Sequence, residues 1–357
     1  MVLSQQKPQD AAKTPPGFPQ MPPQVRILQM MNAYRLSQAI SVAAKLGIAD
    51  LLAEKPRSIT ELAQATETDT RSLYRLLRAL ASFEIFAEDE DGLFELTPRA
   101  ALLQNNISGS LRDYAIVIGE AWHWQMWGGI CYSIKTGEPA FDRLFGMEFA
   151  DYYAQNPEVA KNFDGAMVSA LAMTDVTILA SYDFTPFDRV IDIGTGSQGD
   201  GKLLASILKR NSTQQGVYFD TLARTEQAQR TIEVEQLSDR AVTISGDVFV
   251  EFPADGDVYI VKNLIHDYDD THAIQLLKNC RAAIAPHGTL LLVEMVLPPG
   301  NEPSLGKILD VEALIMSAGA IERTADEYRE LLTAAGFNLT NIISSRSPMS
   351  IIEAVPV

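Results

Sequence analysis

The sequence predicts an α/β protein in which a helical domain precedes a doubly wound, mostly parallel sheet. Three observations support this class. After Pro186, short apolar runs alternate with segments of helical period, as expected for βαβ units. Before that point apolar residues recur at helical spacing, beginning with VRILQMMNAYRLSQAISVAAKLGIADLLA. A glycine-rich turn, Gly194 to Gly201, follows the first strand-like run, where a doubly wound sheet binds its ligand.

Length and composition are typical of a two-domain globular protein. The chain has 357 residues, of which 46% are hydrophobic, and a formal net charge of −17. An acidic surface repels phosphate backbones, so we expect no nucleic-acid partner. No apolar run reaches the ~18 residues of a membrane span, so we expect no membrane contact. Cys131 and Cys280 fit no disulfide or metal-ligand pattern, and we expect free thiols in a cytoplasmic protein without a metal.

The predicted organisation has three parts. Residues 1–24 contain six prolines among polar residues, which predicts a disordered tail without the apolar segment of a secretory signal. The helical domain is assigned to residues 25–182 and the sheet domain to residues 183–357. The period of the apolar residues changes between them.

The first half of the helical domain predicts a winged helix. Ser58 and Glu61 form a capping-box pattern that opens one helix, and Thr68 or Asp69 can cap the next. Two short strands then surround Asp91-Gly92. The order helix, helix, β-hairpin is that of a winged helix.

The sheet domain contains five apolar runs that predict strands: RVIDIG, GVYFD, AVTISG, DVYIVKN and GTLLLVEMV. The C-terminal stretch FNLTNIISSRSPMSIIEAVPV predicts two more strands, joined by a turn at Ser347-Pro348. We therefore expect an antiparallel pair at one edge of the parallel sheet.

The glycine-rich turn admits two interpretations. Gly194, Gly196 and Gly199 spell a dinucleotide fingerprint, and Asp220 follows about twenty residues later. However, Asp192 precedes the first glycine, and a pyrophosphate gains nothing from a nearby carboxylate. Acids suit a cationic ligand with a ribose, such as S-adenosylmethionine (SAM), whose ribose hydroxyls Asp220 can bind.

Asp247, after the third predicted strand, adds to this pattern because it is placed to reach an adenine amino group. Asp220 and Asp247 have a structural alternative as helix caps or turn residues. Acids at three successive strand ends beside a glycine turn nevertheless favour SAM over NAD.

Two stretches of the sheet domain are specific enough to compare with known families. The first is DVYIVKNLIHDYDDTHAIQLLKNCRAAIAPHGTLLLVEMVLPPGNEP, and the second comprises AIERTADEYRELLTAAGF and SIIEAVP. Over roughly residues 27–355 the chain resembles the SAM-dependent O-methyltransferases of the dimeric caffeate, hydroxyindole and polyketide-tailoring type. The resemblance implies a Rossmann-like domain with a seven-stranded sheet, a winged-helix-like dimerisation domain, a homodimer, and a small aromatic or polyketide-like acceptor.

The resemblance also implies the catalytic residues. The family's base is the histidine of its Leu-His-Asp-aromatic-Asp-Asp motif, so LIHDYDD identifies His266, with Asp267 beside it. The two acids that flank this base correspond to Glu294 and Glu322. A phenol is a poor nucleophile, and a histidine of pKa ~6.5 can take its proton during attack. The structural alternative for His266 is a capping or core histidine. The remaining histidines are expected to be structural or exposed: His123, His272 and His287.

The family's binding residues map onto this chain in two groups. Those implied for SAM are Asp192, Gly194, Gly196, Asp220, Asp247, Val248 and Lys262. Those implied for the acceptor are Trp127, Phe163, Met167 and Met316. Ordinary core packing is the alternative for the acceptor group, and pairing with a nearby acid is the alternative for Lys262.

The glycine loop departs from the family, whose members read Asp-x-Gly-Gly-Gly-x-Gly and pass directly into the helix. Here three residues are inserted before Leu203, and the usual Asp-Leu-Pro after the second strand has become Asp220-Thr-Leu-Ala. The inserted segment can bulge into solvent, since glycine admits unusual backbone angles. Alternatively it enters the methionine end of the SAM site, where Asp200 replaces a ligand to the α-amino group or blocks it.

Two other functions compete with O-methylation of a phenolic or enolic hydroxyl. The altered loop motivates a family relative that performs other chemistry, such as isomerisation, decarboxylation or hydroxylation. The winged helix motivates a transcriptional regulator, whose recognition helix would carry Arg71, Arg75 and Arg78. The acidic net charge favours dimerisation over DNA binding for that element.

Overall fold

The structure is a computed structural model that describes residues 22–107, 109–194 and 199–357. The N-terminal part consists of helices joined to a small antiparallel sheet of order β1-β3-β2. Its strands are β1 Arg57–Ser58, β2 Phe86–Glu88 and β3 Leu93–Leu96. Its helices are α1 Pro23–Lys45, α2 Ile48–Leu51, α3 Ile59–Ala65, α4 Thr70–Ala81, α5 Pro98–Ala101, α6 Arg112–Ile118, α7 Ala121–Gly128, α8 Ile130–Thr136, α9 Ala140–Phe145, α10 Phe149–Gln155 and α11 Pro157–Ser181.

The winged-helix order is confirmed, and local sequence explains its helix starts. The Ser58 hydroxyl accepts a hydrogen bond from the Glu61 backbone N–H, and the Glu61 carboxylate accepts from the Ser58 N–H, which completes the capping box. Asp69, rather than Thr68, caps α4 by accepting from the Ser72 N–H. The exposed face of α1, by contrast, is left uncovered by the residues that the structure describes.

Helix α1 begins at Pro23, two residues inside the segment predicted to be a disordered tail. Proline at the first helical position is favourable because its fixed φ suits a helix and its missing N–H has no partner there. The prediction for residues 1–21 lies outside the described residues. Along α1 four large apolar side chains are more than half exposed: Ile27, Leu28, Met30 and Met31.

Helix α11 has the length and mean hydropathy of a membrane span. Ala166 and Ile178 are nevertheless buried against other parts of the chain, Ala166 among aromatic side chains and Ile178 against the large sheet. About a third of its most apolar window, 36%, is buried in this way. This burial is typical of a core helix. The proposed domain boundary at residue 182 falls directly after its last residue.

The C-terminal part is a doubly wound α/β domain. Its strands are β4 Arg189–Ile193, β5 Gln215–Asp220, β6 Ala241–Ser245, β7 Val258–Lys262, β8 Thr289–Leu297, β9 Arg323–Thr324, β10 Phe337–Ser344 and β11 Met349–Pro356. Its helices are α12 Lys202–Arg210, α13 Leu222–Val234, α14 Asp270–Ala283, α15 Gly306–Met316 and α16 Ala325–Ala334, and residues Ile265–Asp267 form a 3-10 turn.

Seven strands form the main sheet in the order β10-β11-β8-β7-β4-β5-β6, and the short β9 pairs with the end of β8. Strands β4 to β8 run parallel, whereas β10 and β11 form the predicted antiparallel pair. From β4 the chain winds first toward β6 and then returns to β7, so the switch point lies between β4 and β7. Residues Val258 to Val261 are fully buried, because apolar layers cover both faces. The predicted fold class is confirmed.

Candidate active site

The carboxyl ends of the parallel strands bring the candidate polar residues to one edge of the sheet. The segment after β7 carries His266, and Glu294 lies within the neighbouring strand β8. The segment after β4 carries the glycine loop, and Asp220 ends β5. Both segments flank the switch point, where ligands of this topology bind.

His266 is held by Glu294. Its Nδ1 lies 2.7 Å from Glu294 Oε2, while Glu294 Oε1 accepts backbone N–H bonds from Leu264 at 2.9 Å and Ile265 at 2.8 Å. Glu294 has no exposed side-chain surface, whereas a quarter of the His266 side chain, 25%, is exposed. The Nδ1 contact leaves Nε2 as the nitrogen for an incoming group, with Asp267 Oδ1 3.4 Å away.

Surrounding carboxylates set the charge of this histidine. Burial on its own lowers the pKa of His266, but the negative charges of Glu294, Asp267 and Glu322 outweigh burial and raise the pKa to about 10. The imidazole therefore carries a proton at neutral pH. Burial also raises the pKa of Asp267, and the charge of His266 opposes that rise.

Glu322 lies near His266 without a hydrogen bond between the two side chains. The backbone N–H of Ile321 donates to the His266 carbonyl at 2.8 Å, which fixes the two segments together. Glu322 Oε2 is buried and has no hydrogen-bond partner among the described residues. Burial, with Glu294 and Asp310 adding to it, raises the pKa of Glu322 to about 7.

At the other side of the switch point, carboxylates outnumber cations. Asp192 is buried, and its pKa is raised to about 7 because burial and the charges of Asp175, Asp200 and Asp220 outweigh Lys262. Lys262 donates to Asp175 at 2.7 Å, so the structure adopts the alternative in which this lysine pairs with an acid. The excess negative charge suits a cationic ligand and disfavours a phosphate.

The Asp220 carboxylate is already oriented. Oδ1 accepts from the Thr221 N–H at 2.6 Å, and Oδ2 accepts from the Tyr218 hydroxyl at 2.9 Å. A Cβ on Gly194 would lie 2.0 Å from Asp220 Oδ2, and a Cβ on Gly199 would lie 1.8 Å from the Tyr218 Oη. The loop thus approaches the carboxylate as closely as only glycine permits. These contacts form a cradle of acids and backbone that fits the sulfonium, amino and ribose groups of SAM.

The remaining predicted cofactor residues have simpler surroundings. Asp247 is exposed, and its carboxylate accepts from the Phe249 N–H at 2.8 Å, so it also serves as a turn residue. Val248 is partly buried against the sheet core. Asp200 accepts from the Lys202 N–H at 3.1 Å within its own loop. Gly196 lies outside the described residues.

The four predicted acceptor residues lie together at the margin of one group of side chains, called here the aromatic cluster. Its buried members are Val117, Trp122, Met126, Ala140, Phe141, Ala166 and Ile315, and its partly buried members include Trp127, Phe149, Phe163, Met167 and Met316. Phe149 also lines a cleft of about 460 Å³ that Asp267 borders. The aromatic cluster and His266 loop are therefore neighbours, joined through this cleft.

Four features of this edge were not singled out from sequence. Tyr218 and Asp220 lie two residues apart in β5, so their side chains are on the same face of the sheet. This proximity could have been predicted from the alternation of side chains along a strand. Arg323, fully buried, binds the Ile265 and Tyr268 carbonyls and so fastens the His266 loop. Asp175 and the pair His123–Glu312 are recognisable only after folding.

A doubly wound sheet with a carboxylate-rich cradle beside a His–Glu pair defines a Rossmann-like methyltransferase. The family model for the O-methyltransferase domain matches residues 127–338, and that for the O-methyltransferase dimerisation domain matches residues 28–106. The chain belongs to this O-methyltransferase family. It is a SAM-dependent methyltransferase of secondary metabolism.

Two relatives are similar to this chain over most of its length. Phenazine O-methyltransferase PhzM of Lysobacter antibioticus is 43% identical over 331 residues, which cover 93% of this chain and 96% of the relative. Phenazine-1-carboxylate N-methyltransferase of Pseudomonas aeruginosa is 31% identical over 318 residues, 89% of this chain and 92% of that one. The family thus includes enzymes named for methylating oxygen and others named for methylating nitrogen.

Solved structures agree with the fold. The crystal structure of LaPhzM has a TM-score of 0.86 at 42% identity and covers 94% of this chain and 100% of its own. An O-methyltransferase from neocarzinostatin biosynthesis, in complex with SAM and 2-hydroxy-5-methyl naphthoic acid, has a TM-score of 0.75 at 28% identity, with coverage of 90% and 96%. That enzyme therefore binds both SAM and an aromatic hydroxy acid.

Proposed function

We propose that this chain methylates a phenolic hydroxyl of a flat aromatic secondary metabolite, with hydroxyphenazines as the first class to test. The observation that carries the proposal is the hydrogen bond between His266 Nδ1 and buried Glu294. Oxygen methylation requires the acceptor to lose its proton, and the Nε2–H of this pair is placed to hold the oxygen that has lost it. The similarity to a phenazine O-methyltransferase supports the acceptor class.

Nitrogen methylation is the second candidate, because two relatives are named for it. A tertiary ring nitrogen has no proton to lose, so its methylation needs no base. A histidine anchored by a fully buried glutamate, with a quarter of its side chain exposed, has a use in oxygen methylation and none in the methylation of such a ring nitrogen. This difference favours the hydroxyl.

The charge of His266 determines how the acceptor enters. With a pKa of about 10, the imidazole already carries a proton at neutral pH. A phenol has a similar pKa of ~10, so the acceptor releases its proton to solvent on binding at little cost, and the Nε2–H of the imidazolium then donates to the phenolate oxygen. The reactive pair is therefore a phenolate held by the His266 imidazolium, and Glu294 keeps the ring oriented. An acceptor whose hydroxyl is more acidic than a simple phenol supplies this pair more readily.

Asp192, Gly194 and Asp220 are proposed to hold SAM, together with Asp247, Val248 and Lys262. When bound, SAM supplies an electrophilic methyl group on its sulfonium. Asp220 is pre-oriented by Tyr218 for hydroxyl donors, and buried Asp192 adds negative charge close to a cationic ligand. Orientation of the groups before reaction contributes much of the rate, because little reorganisation remains.

The acceptor ring is proposed to bind against Trp127, Phe163, Met167 and Met316. Aromatic side chains and methionine favour flat rings through stacking and sulfur–aromatic contacts. Phe149 continues this surface into the cleft beside Asp267, which gives the ring a route toward His266.

The test combines binding and product analysis. Calorimetry with S-adenosylhomocysteine should give micromolar binding to the purified protein. With SAM and 1-hydroxyphenazine, mass spectrometry and NMR should identify a product heavier by one methyl group on oxygen. His266→Gln should retain cofactor binding while losing ~10²–10⁴-fold in kcat/KM. An N-methyl product, or a His266→Gln enzyme as active as wild type, would contradict the proposal.

We also propose that the protein is a cytoplasmic homodimer formed through its N-terminal domain. The match to a dimerisation domain and the exposed apolar side chains of α1, including Leu28 and Met31, support this assembly. Both cysteines are free, as is usual in a reducing compartment. Sedimentation of the full chain at micromolar concentration should give a dimer, and a monomer would refute the assembly.

A further inference from the structure

A histidine–glutamate pair beside the aromatic cluster has no part in the chemistry at His266. His123 lies on α7 and Glu312 on α15, and His123 Nε2 is 3.1 Å from Glu312 Oε1. His123 is 7% exposed, and its ring meets the Trp122 ring edge-on at 5.4 Å. Burying a polar side chain such as His123 costs free energy unless it has a hydrogen-bond partner. We therefore examined what this pair does.

The pair occupies the faces that are proposed to contact the acceptor. Trp127 follows His123 by four residues on α7, and Met316 follows Glu312 by four residues on α15. Residues four apart share a helix face. Each member of the pair therefore lies one turn from a proposed acceptor residue. Burial and the charge of Glu312 raise the pKa of Tyr114, which places the carboxylate close to a third aromatic side chain.

The hydrogen bonding of the pair specifies what it can bind. A carboxylate oxygen can only accept, so Nε2 donates to Glu312, and in the tautomer with its proton on Nε2 the other ring nitrogen of His123 is an acceptor. Glu312 uses Oε1 for this contact and remains 26% exposed, so its carboxylate has further acceptor capacity. Both members thus offer acceptors, and the matching group on a ligand is a hydrogen-bond donor.

We propose that the His123–Glu312 pair selects acceptors that carry a second hydrogen-bond donor, a hydroxyl or amino group, away from the hydroxyl that is methylated. The inference rests on the proposed function, because it assigns this pair to the acceptor pocket of that reaction. The pair is a specificity element: it leaves proton transfer to His266 and orients the ring through its far substituent. A purely structural pair between α7 and α15 would show no such ligand preference.

The experiment uses three naphthalenes that differ in one substituent: 2,7-dihydroxynaphthalene, 7-methoxy-2-naphthol and 2-naphthol. Calorimetry measures their binding to the full-length protein saturated with S-adenosylhomocysteine. The dihydroxy compound should bind ~10-fold or more tightly than the methoxy compound, because a methoxy group cannot donate to a site built to accept. In Glu312→Leu this ratio should fall close to one.

Two further variants separate ligand recognition from folding. Glu312→Gln keeps the size of the side chain and should give an intermediate ratio. Glu330→Leu removes an exposed carboxylate from α16 and should leave the ratio unchanged. An unchanged ratio in folded Glu312→Leu, no preference in the wild type, or no binding of any of the three compounds would overturn the inference.

The outcome is distinguishable from failure of the proposed function. Binding ratios require no turnover, so they report on Glu312 even if 2-naphthol is not methylated. Conversely, a His266→Gln enzyme that forms product as fast as wild type would refute the proposed reaction. The binding ratios could still be interpreted in that case.

Discussion

The loops that follow β7 and β4 lie at the same edge of the sheet, yet they are stabilised differently. In the β7 loop, the polar groups face partners: Glu294 accepts from two backbone N–H groups and from His266, and Arg323 binds two loop carbonyls. In the β4 loop, several carboxylates face one another with Lys262 as the opposing cation. The polar groups of the first loop are paired within the chain, whereas the second loop carries an excess of negative charge, to which the proposed function assigns a cationic ligand.

This contrast matches the two tasks that the proposed function assigns to the enzyme. The β7 loop must hold one imidazole in one orientation throughout the reaction, which demands satisfied hydrogen bonds. The β4 loop must bind a cationic cofactor and release its neutral product, and mutual repulsion among acids favours the cation. The inserted segment falls in the second loop, where Gly199 lies so close to the Tyr218 hydroxyl that an added Cβ would be 1.8 Å from it.

Removing Glu294 should have the largest effect. Glu294→Leu leaves the Leu264 and Ile265 N–H groups buried without a partner, at a cost of ~1–3 kcal/mol each in the free energy of unfolding. Glu294→Gln keeps the shape of the side chain but loses the negative charge that orients His266 and stabilises its protonated form. We expect it to fold and to lose ~10²–10⁴-fold in kcat/KM.

Urea unfolding and methylation assays on both variants check these effects. Glu330→Gln, an exposed carboxylate on α16, is the control and should match wild type in both measurements. A Glu294→Gln enzyme with full activity would show that the His266 loop does not depend on this anchor.

The inserted glycine loop should give the next largest effect. Gly199→Ala places a Cβ 1.8 Å from the Tyr218 Oη, so the loop or the phenol must move away from Asp220. Overpacking of this kind costs ~1–3 kcal/mol, which corresponds to ~5- to 150-fold weaker binding of S-adenosylhomocysteine. Calorimetry measures the change.

Gly128→Ala is the matched control for the glycine loop. An added Cβ there meets no heavy atom within 4 Å, and Gly128 ends helix α7. It should leave cofactor affinity unchanged. Equal affinities for Gly199→Ala and wild type would mean that the inserted segment lies clear of the cofactor.

The pH dependence of stability should distinguish the two loops. The pKa values of Asp192 and Glu322 are raised to about 7, and that of His266 to about 10, so each group binds its proton more tightly in the folded protein. The stabilisation is present below the unfolded pKa and is lost as pH rises through the folded pKa. The free energy of unfolding should therefore fall from about pH 4 to 7 through the acids, and from about 6.5 to 10 through His266.

Asp192→Asn tests this assignment. The measurement is made without added SAM. The free energy of unfolding of the variant should fall less steeply than that of wild type between pH 5 and 7, and equally steeply above pH 8. Urea unfolding midpoints are measured for both proteins across this pH range. The difference between variant and wild type at each pH removes the effect of net charge that the two proteins share. If the two plots of unfolding free energy against pH are parallel over the whole range, Asp192 is not the group that titrates there.

Tyr218→Phe should give the smallest effect. It removes the hydroxyl that donates to Asp220 Oδ2 while Thr221 still holds Oδ1. Loss of one such bond costs ~0.5–1.5 kcal/mol, so binding of S-adenosylhomocysteine should weaken ~2- to 13-fold. The value of kcat at saturating SAM should change little, because Tyr218 positions a binding residue. A large fall in kcat with unchanged affinity would contradict this role.

Much of the architecture was predictable because it depends on local sequence. The Ser58–Glu61 capping box, the strand RVIDIG and the C-terminal antiparallel pair were predicted correctly, since each is encoded within a few residues. The start of α1 was placed two residues late, because Pro23 was counted as part of the tail rather than as a helix N-terminus. The site residues were taken from family motifs, and their roles stay predictions.

The sequence alone determined the order of helices and strands, the acidic character of the glycine loop and the LIHDYDD motif that identifies His266. Only the tertiary structure decided which charges meet. Lys262 pairs with Asp175, 87 positions away, and His123 pairs with Glu312, 189 positions away. The reason is physical: periodicity and capping act over one or two helical turns, whereas a buried charge takes whichever partner the packing of distant elements brings within reach.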